Sequence, residues 1–224
     1  MPENKGAQNE IEAELSQFRI IQLQLDPVQG NFNVAHLKEI NRRIFQDFPA
    51  AGLVQTPGEF RPPVTSGDWI KARLLTSQPV QYTVAYSRMD APAQARLHAA
   101  LDGVLPSFLR LDQNAFTTKM AALYAELDYI HPFLEGNSRT LREFTRQLAR
   151  AAGYNLKWDG FNNTAVTRDM LCIARDKAVN TLALPHLQSE LTVRKVATSL
   201  HMLSPNEALS TLLKTAVLPY PKLT

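Results

Sequence analysis

Apolar residues recur at three- and four-residue intervals along most of the chain, the spacing that puts them on one face of an α-helix. This pattern predicts helices over residues 11–25, 33–48, 91–105, 115–130, 139–153, 169–183, 191–203 and 206–218. Asn33 stands where a helix N-cap is expected, and Gly153 where a C-terminal cap is expected. The pattern therefore predicts an all-α, mainly helical fold.

Residues 57–89 depart from the helical spacing, because this segment is rich in proline, glycine and turn residues. Within it, the sequence VQYTVAYS has the β-branched and aromatic content of a strand. We interpret residues 69–86 as a short β-hairpin on the helical body. An exposed hairpin edge can hold an extended segment of another protein by main-chain hydrogen bonds.

Composition narrows the class of protein. Of the 224 residues, 45% are hydrophobic and 20% are charged, which predicts a folded chain with a sizeable core. The one cysteine, Cys172, excludes an internal disulfide framework. No apolar run approaches the roughly 20 residues of a membrane span, and the first residues do not resemble a signal peptide. We therefore expect a cytoplasmic protein with no membrane partner.

Charge is unevenly distributed along the chain. Residues 139–224 contain 12 Lys and Arg against 6 Asp and Glu, whereas residues 1–138 contain 12 against 15. This asymmetry favours a site for an anionic ligand in the C-terminal part. It is too mild to favour nucleic acid as a partner, since a nucleic-acid binder usually shows a concentrated basic stripe.

The sequence HPFLEGNSRT, which begins at His131, contains a candidate phosphate site. Its Gly-Asn-Ser segment lies just before a predicted helix, where backbone N–H groups can surround an anion. Arg139 and Arg142 lie on one face of the first helical turn. Positive side chains there oppose the helix dipole, an unfavourable arrangement unless an anion lies between them.

Three other residues of this segment suit phosphate chemistry. His131 has the side chain best suited to remove a proton from a hydroxyl near neutral pH. A carboxylate such as Glu135 beside a phosphate is a natural Mg²⁺ ligand, and Phe133 is an apolar anchor for the loop. Each feature also has an ordinary interpretation when it is taken singly. The histidine can be a surface or core residue, the carboxylate can be solvated, and the Gly-Asn pair can be a turn. Their order along the segment favours the functional interpretation.

The segment HPFLEGNSRTLR resembles the signature of the Fic family, His-Pro-Phe-x-(Asp/Glu)-Gly-Asn-Gly-Arg-x-x-Arg, and matches it at eight of nine specified positions. The resemblance covers roughly residues 35–165. It implies a Fic-type helical bundle with a β-hairpin flap over the active site. The implied organisation is an N-terminal helical extension (1–30), a Fic domain (31–183, flap 69–86, motif 131–142) and a C-terminal helical segment or small lobe (184–224).

The resemblance also implies a function, the transfer of AMP from ATP to a Ser, Thr or Tyr hydroxyl of a target protein, with release of pyrophosphate. His131 would be the general base, and Glu135 would hold Mg²⁺. The implied nucleotide-binding residues are Gly136, Asn137, Ser138, Arg139 and Arg142, with Asn163 or its neighbour Asn162 toward adenine. Val80, Gln81 and Tyr82 of the flap would dock the target.

Ser138 departs from the signature, which has Gly at this position. If the position needs a positive φ, Ser costs about 1–2 kcal/mol; if it lies in the first helical turn, Ser is favourable. We favour the second interpretation. The Doc-type kinase branch has Lys here, so Ser138 favours nucleotidyl transfer. Transfer of phosphate, UMP or phosphocholine stays open, as does a weakly catalytic, nucleotide-responsive protein-binding module.

Many family members carry an inhibitory (Ser/Thr)-x-x-x-Glu-(Gly/Asn) motif. Only Glu3 and Glu135 are followed by Gly or Asn, and neither has Ser or Thr four residues earlier. We therefore hypothesise inhibition by a separate small protein, as in toxin–antitoxin pairs, or restraint by contacts in a homo-oligomer.

Overall fold

The computed structural model describes residues 2–53 and 56–220. Its α-helices are α1 (Pro2–Leu25), α2 (Val34–Phe45), α3 (Ala91–Leu101), α4 (Val104–Phe108), α5 (Gln113–Ile130), α6 (Asn137–Ala151), α7 (Ala165–Ala183), α8 (Glu190–Leu203) and α9 (Leu209–Ala216). The strands are β1 (Trp69–Leu74), β2 (Gln81–Tyr86), β3 (Tyr154–Leu156) and β4 (Val217–Pro219). Short 3₁₀ turns span Asp159–Asn162 and Leu184–His186. The predicted mainly helical fold with one short hairpin is confirmed.

Local sequence signals explain several helix ends. The Asn33 side chain accepts a hydrogen bond from the His36 N–H at 3.1 Å and so caps α2, as predicted. Gly153 follows α6 with φ 88°, the left-handed conformation that the C-terminal cap requires. The prediction of one continuous helix over 91–105 is wrong. Gly103, at φ 58°, divides this segment into α3 and α4.

Helix α5 is the centre of the core. Phe116, Met120, Tyr124 and Leu127 are fully buried along it, and α6, α7 and α9 pack against it. No helix within the described ranges is long and apolar enough to cross a bilayer. The central helix ends at Ile130, so the core directly fixes the position of His131.

The predicted hairpin is present as an antiparallel β1–β2 pair in which Trp69 lies opposite Tyr86. Its tip is fixed by α7, because the Asp169 carboxylate accepts the backbone N–H groups of Thr76 and Ser77. A second small sheet, which the helical spacing did not predict, pairs β3 with β4. The C-terminal helices α8 and α9 bury their apolar faces in the same core cluster as α5.

Candidate active site

His131 ends α5 in the left-handed conformation, with φ 49° and ψ 60°. Its N–H donates to the Leu127 carbonyl at 3.1 Å, and Pro132 discourages continuation of the helix. This turn directs the imidazole toward the hairpin. Its ring centroid lies 4.1 Å from that of Tyr86 and 5.3 Å from that of Trp69.

Arg61, a residue distant in sequence, holds this turn. Its Nε donates to the His131 carbonyl at 2.8 Å, and its Nη2 donates to the Ser87 carbonyl at 2.7 Å. The guanidinium also lies over the Trp69 ring at 3.6 Å. Burial lowers the pKa of Arg61 to about 10, so the group stays cationic at neutral pH.

The imidazole of His131 is almost enclosed, at 8% exposure. Its Nδ1 lies 3.3 Å from the Asp128 carbonyl oxygen and 3.6 Å from Asp128 Oδ1. Burial lowers the pKa of His131 and outweighs the opposite effect of Asp128. The imidazole is therefore neutral near pH 7, as a general base must be.

The loop after His131 is held by its own side chains. The Asn137 amide accepts from the Phe133 N–H at 2.9 Å and donates to the Phe133 carbonyl at 2.7 Å. Phe133 is 1% exposed and packs against Phe60. Gly136 has φ 76° and lies directly against the Phe45 ring, so no larger residue fits there.

The N-terminus of α6 is a candidate anion site. The first helical N–H to find a backbone acceptor in this turn is that of Thr140, which donates to Gly136 at 3.0 Å. The N–H groups of Asn137, Ser138 and Arg139 precede it, and within the described part of the chain they have no backbone acceptor, so they are available to an anion. Ser138 is the second residue of the helix, and the positive φ falls on Gly136. The departure from the signature therefore places no strain on the backbone.

The two motif arginines have different partners. Arg139 Nη1 donates to Ser16 Oγ on α1 at 2.9 Å. Arg142 Nη1 donates to Asn162 Oδ1 at 3.3 Å, while its Nε is buried without a hydrogen-bond partner in the described part of the chain. Burial lowers the pKa of Arg139, against the effect of Glu12 and Glu135. A guanidinium has five N–H donors, so both arginines keep donors beyond these contacts.

Two of the predicted site residues have defined places in the fold. Asn162 accepts a hydrogen bond from Arg142, and Asn163 follows the 3₁₀ turn as its C-cap, so the prediction that one of them meets adenine stays a prediction. On the flap, Tyr82 is 4% exposed and donates its hydroxyl to Asp176 at 2.9 Å, so its side chain faces the core.

The open edge of the hairpin lies on β1. On β2, Thr83 and Ala85 direct main-chain groups to Asn180, and the Thr83 N–H also bonds Ser199 Oγ at 3.0 Å. Opposed residues of an antiparallel pair either bond to each other or both direct their main-chain groups outward, and Thr83 belongs to an outward pair. The main chain of Ala72, opposite Thr83, therefore points to the free edge. The open edge on β1 is therefore a different segment from Val80, Gln81 and Tyr82, the residues that the family resemblance implied for target docking.

The comparisons with known proteins agree with this geometry. The profile of the Fic/DOC family matches residues 31–149, which is more than half of the chain and includes the whole loop. The chain belongs to the Fic/DOC family. Protein adenylyltransferase VbhT of Bartonella schoenbuchensis is 33% identical over 158 residues, 70% of this chain and 29% of that protein. A probable protein adenylyltransferase Fic of Escherichia coli is 38% identical over 55 residues, 25% of this chain and 28% of that protein.

Solved Fic structures share the fold. BepC of Bartonella tribocorum, with bound AMPPNP, superposes with a TM-score of 0.63 at 15% identity, covering 95% of this chain and 87% of that one. The N-terminal Fic domain of a Bartonella quintana protein, with bound ADP, gives a TM-score of 0.59 at 19% identity, covering 95% and 85%. The chain spans less than a third of the length of the first curated relatives it matches.

Sequence reasoning missed three residues that shape the site: Arg61, Asp128 and Arg175. Asp128 carried a usable signal, since it lies three residues before His131 on the same helix face. Arg61 and Arg175 reach the site only through the tertiary fold, and no local pattern marks them.

Proposed function

We propose that this chain transfers AMP from ATP to a hydroxyl side chain of a target protein. The observation that carries the proposal is that a buried, neutral His131 stands at one end of a short loop and the open N-terminus of α6 at the other. A base and an anion site so placed can act on one phosphate. The curated relatives, which are named protein adenylyltransferases, support the same activity.

In the proposed reaction, His131 removes the proton from a Ser, Thr or Tyr hydroxyl. The hydroxyl oxygen then bonds to the α-phosphorus of ATP, and the bond from that phosphorus to the pyrophosphate oxygen breaks. The N–H groups of Asn137, Ser138 and Arg139 stabilise the negative charge on the phosphate oxygens. We assign Arg142, whose side chain lines the same groove as Arg139, to the leaving pyrophosphate.

The residues present fit a magnesium ion. Mg²⁺ is usually held by one or two carboxylates together with substrate phosphates, and the exposed Glu135 supplies one carboxylate next to the anion site. We propose that Glu135 holds Mg²⁺, which when bound neutralises phosphate charge. Because the reaction uses ATP and Mg²⁺, we place it in the cytoplasm of the producing cell or of a recipient cell.

We place the target protein on the open edge of β1. An extended target segment can pair with the outward main chain of Ala72. Trp69, three residues before Ala72 on the same strand, has its ring centroid 5.3 Å from that of His131. A hydroxyl carried by such a segment would then be next to the base.

We also propose a place for a small inhibitory protein. A groove of about 600 Å³ runs between α1 and α6 and is lined by Arg139, Arg142, Ile20 and Ile21. Glu143 and Asp159 also line it, but its three arginines and its apolar residues suit an amphipathic helix with acidic residues. Full activity of the purified protein, together with harmless expression without any partner, would count against this inhibitor.

The activity is tested by incubating purified protein with Mg²⁺, cell lysate and ATP labelled on either the α- or the γ-phosphate. We expect a labelled protein band with the α label only, absent in His131→Ala. His201→Ala, an exposed histidine on α8, is the matched control and should label normally. A band with only the γ label would replace AMP transfer by phosphate transfer. Labelling that survives in His131→Ala would overturn the assigned base.

A further inference from the structure

Asp128 is fully buried, and its two carboxylate oxygens face different partners. Oδ2 accepts both hydrogen bonds from Arg175, from Nε at 3.0 Å and from Nη2 at 2.7 Å. Oδ1 has no hydrogen-bond partner among the described residues and lies 3.6 Å from His131 Nδ1. The guanidinium therefore holds the carboxylate with one oxygen directed at the histidine.

We propose that Asp128, oriented by Arg175, is a positioning residue that keeps the His131 proton on Nδ1 and so leaves the Nε2 lone pair for the target hydroxyl. The proposal rests on the AMP transfer proposed above. Both groups that face Nδ1 are acceptors, the carboxylate and the Asp128 carbonyl. That carbonyl is available because Pro132, four residues on, has no N–H to donate to it.

Asp128 also compensates positive charge around His131. The cations that face the imidazole are Arg61 from the loop before β1 and Lys71 from β1 itself, and both disfavour a protonated ring. Tyr86 of β2 lies against the ring, and burial raises the pKa of this phenol, so it stays neutral. Asp128 is the anion with the largest effect on the imidazole, and this effect favours the protonated ring.

The positive charge that the step creates on the imidazole favours a nearby anion. The hydroxyl proton passes to Nε2 as the oxygen–phosphorus bond forms and the bond to pyrophosphate breaks. The imidazole then carries a positive charge in a buried place with two cations nearby. The carboxylate of Asp128 compensates this charge, and Arg175 keeps it oriented without donating to the histidine.

The tautomer of His131 can be read in the free, full-length protein by ¹⁵N NMR of the histidine side chains. The chain has five histidines, and His131→Ala assigns the relevant signal. We expect the neutral wild-type ring to have its proton on Nδ1. In Asp128→Asn the amide oxygen must face the donor-only Arg175, so the NH₂ group faces Nδ1 and disfavours a proton there. We expect a shift toward the Nε2–H tautomer and at least a tenfold loss of transfer rate.

Asp176→Asn is the matched control, since Asp176 is also fully buried and paired with an arginine, Arg73, but faces the hairpin. It should leave the His131 tautomer unchanged. An Nε2–H tautomer in the wild-type protein overturns the proposal even if Asp128→Asn does not fold. A folded Asp128→Asn variant with unchanged tautomer and rate overturns it as well. The NMR result is independent of transfer, so it separates this proposal from failure of the proposed function.

Discussion

Arg139, in the first turn of α6, donates to the Ser16 hydroxyl of α1 at 2.9 Å. Helix α1 lies outside the segment that matches the Fic/DOC profile, yet it fixes an arginine at the predicted phosphate site. The same helix also places the Glu12 carboxylate 4.0 Å from Arg139 Nη2, so α1 holds this guanidinium with a neutral hydroxyl and a distant carboxylate. The N-terminal helix is in this way part of the site.

Replacing Ser16 with Ala removes this hydrogen bond and should weaken ATP binding. A hydrogen bond to a charged group contributes about 1.5–3 kcal/mol when buried and less when half-exposed, so we expect a several-fold rise in the KM for ATP with little change in kcat. Ser16→Thr keeps a hydroxyl and is the control. A lower KM in Ser16→Ala would mean instead that Ser16 draws Arg139 away from the nucleotide.

Gly136→Ala should damage the loop more than the same change at another glycine of positive φ. At Gly103 a methyl group meets nothing within 4 Å, so Ala there carries only the left-handed penalty, about 1–2 kcal/mol. At Gly136 the methyl group also collides with the Phe45 ring, which adds about 1–3 kcal/mol. Thermal unfolding of both variants measures the difference, and equal Tm values would contradict the packing described.

Ser138→Gly tests the one departure from the signature. Because Ser138 lies in the first turn of α6 with helical φ, Gly relieves no strain and costs about 0.5–1 kcal/mol in helix stability. We expect a transfer rate within about threefold of the unmodified chain and a slightly lower Tm. A rate increase of an order of magnitude would show that the serine side chain hinders the reaction.

Helical spacing and local signals predicted much of this protein because its core is made of amphipathic helices. The Asn33 cap, the hairpin over 69–86 and the loop at the N-terminus of α6 follow from residues close together in sequence. The division of residues 91–105 at Gly103 could not be predicted from apolar spacing, because the spacing continues through the turn.

The supports of the site were harder to predict, because they are tertiary. Arg61 contacts the His131 carbonyl across 70 positions of sequence, and Arg175 contacts Asp128 across 47. The side that the hairpin presents depends on Asn180, which binds β2 and leaves β1 open. Such choices are made by packing between elements and leave no periodic signal in either segment.

The pH dependence of transfer should reflect the burial of His131. Burial lowers the pKa of this imidazole, so it stays neutral, and able to accept a proton, below the ordinary histidine value of about 6.5. As pH falls, kcat/KM should therefore decline only below that value. The profile is measured with saturating Mg²⁺ and the α-labelled ATP. A decline centred above about pH 6.5 would contradict the buried geometry.

The open edge of β1 can be closed with a single proline. The Ala72 N–H points away from β2, so Ala72→Pro removes an outward donor and keeps the hairpin hydrogen bonds, as proline on an edge strand does. We expect labelling of the target to fall at least tenfold, while calorimetry shows unchanged ATP binding. Ala72→Val keeps the N–H and is the matched control. Equal labelling by the two variants would mean that the target does not pair with β1, and loss of ATP binding in Ala72→Pro would mean that the hairpin itself had been disrupted.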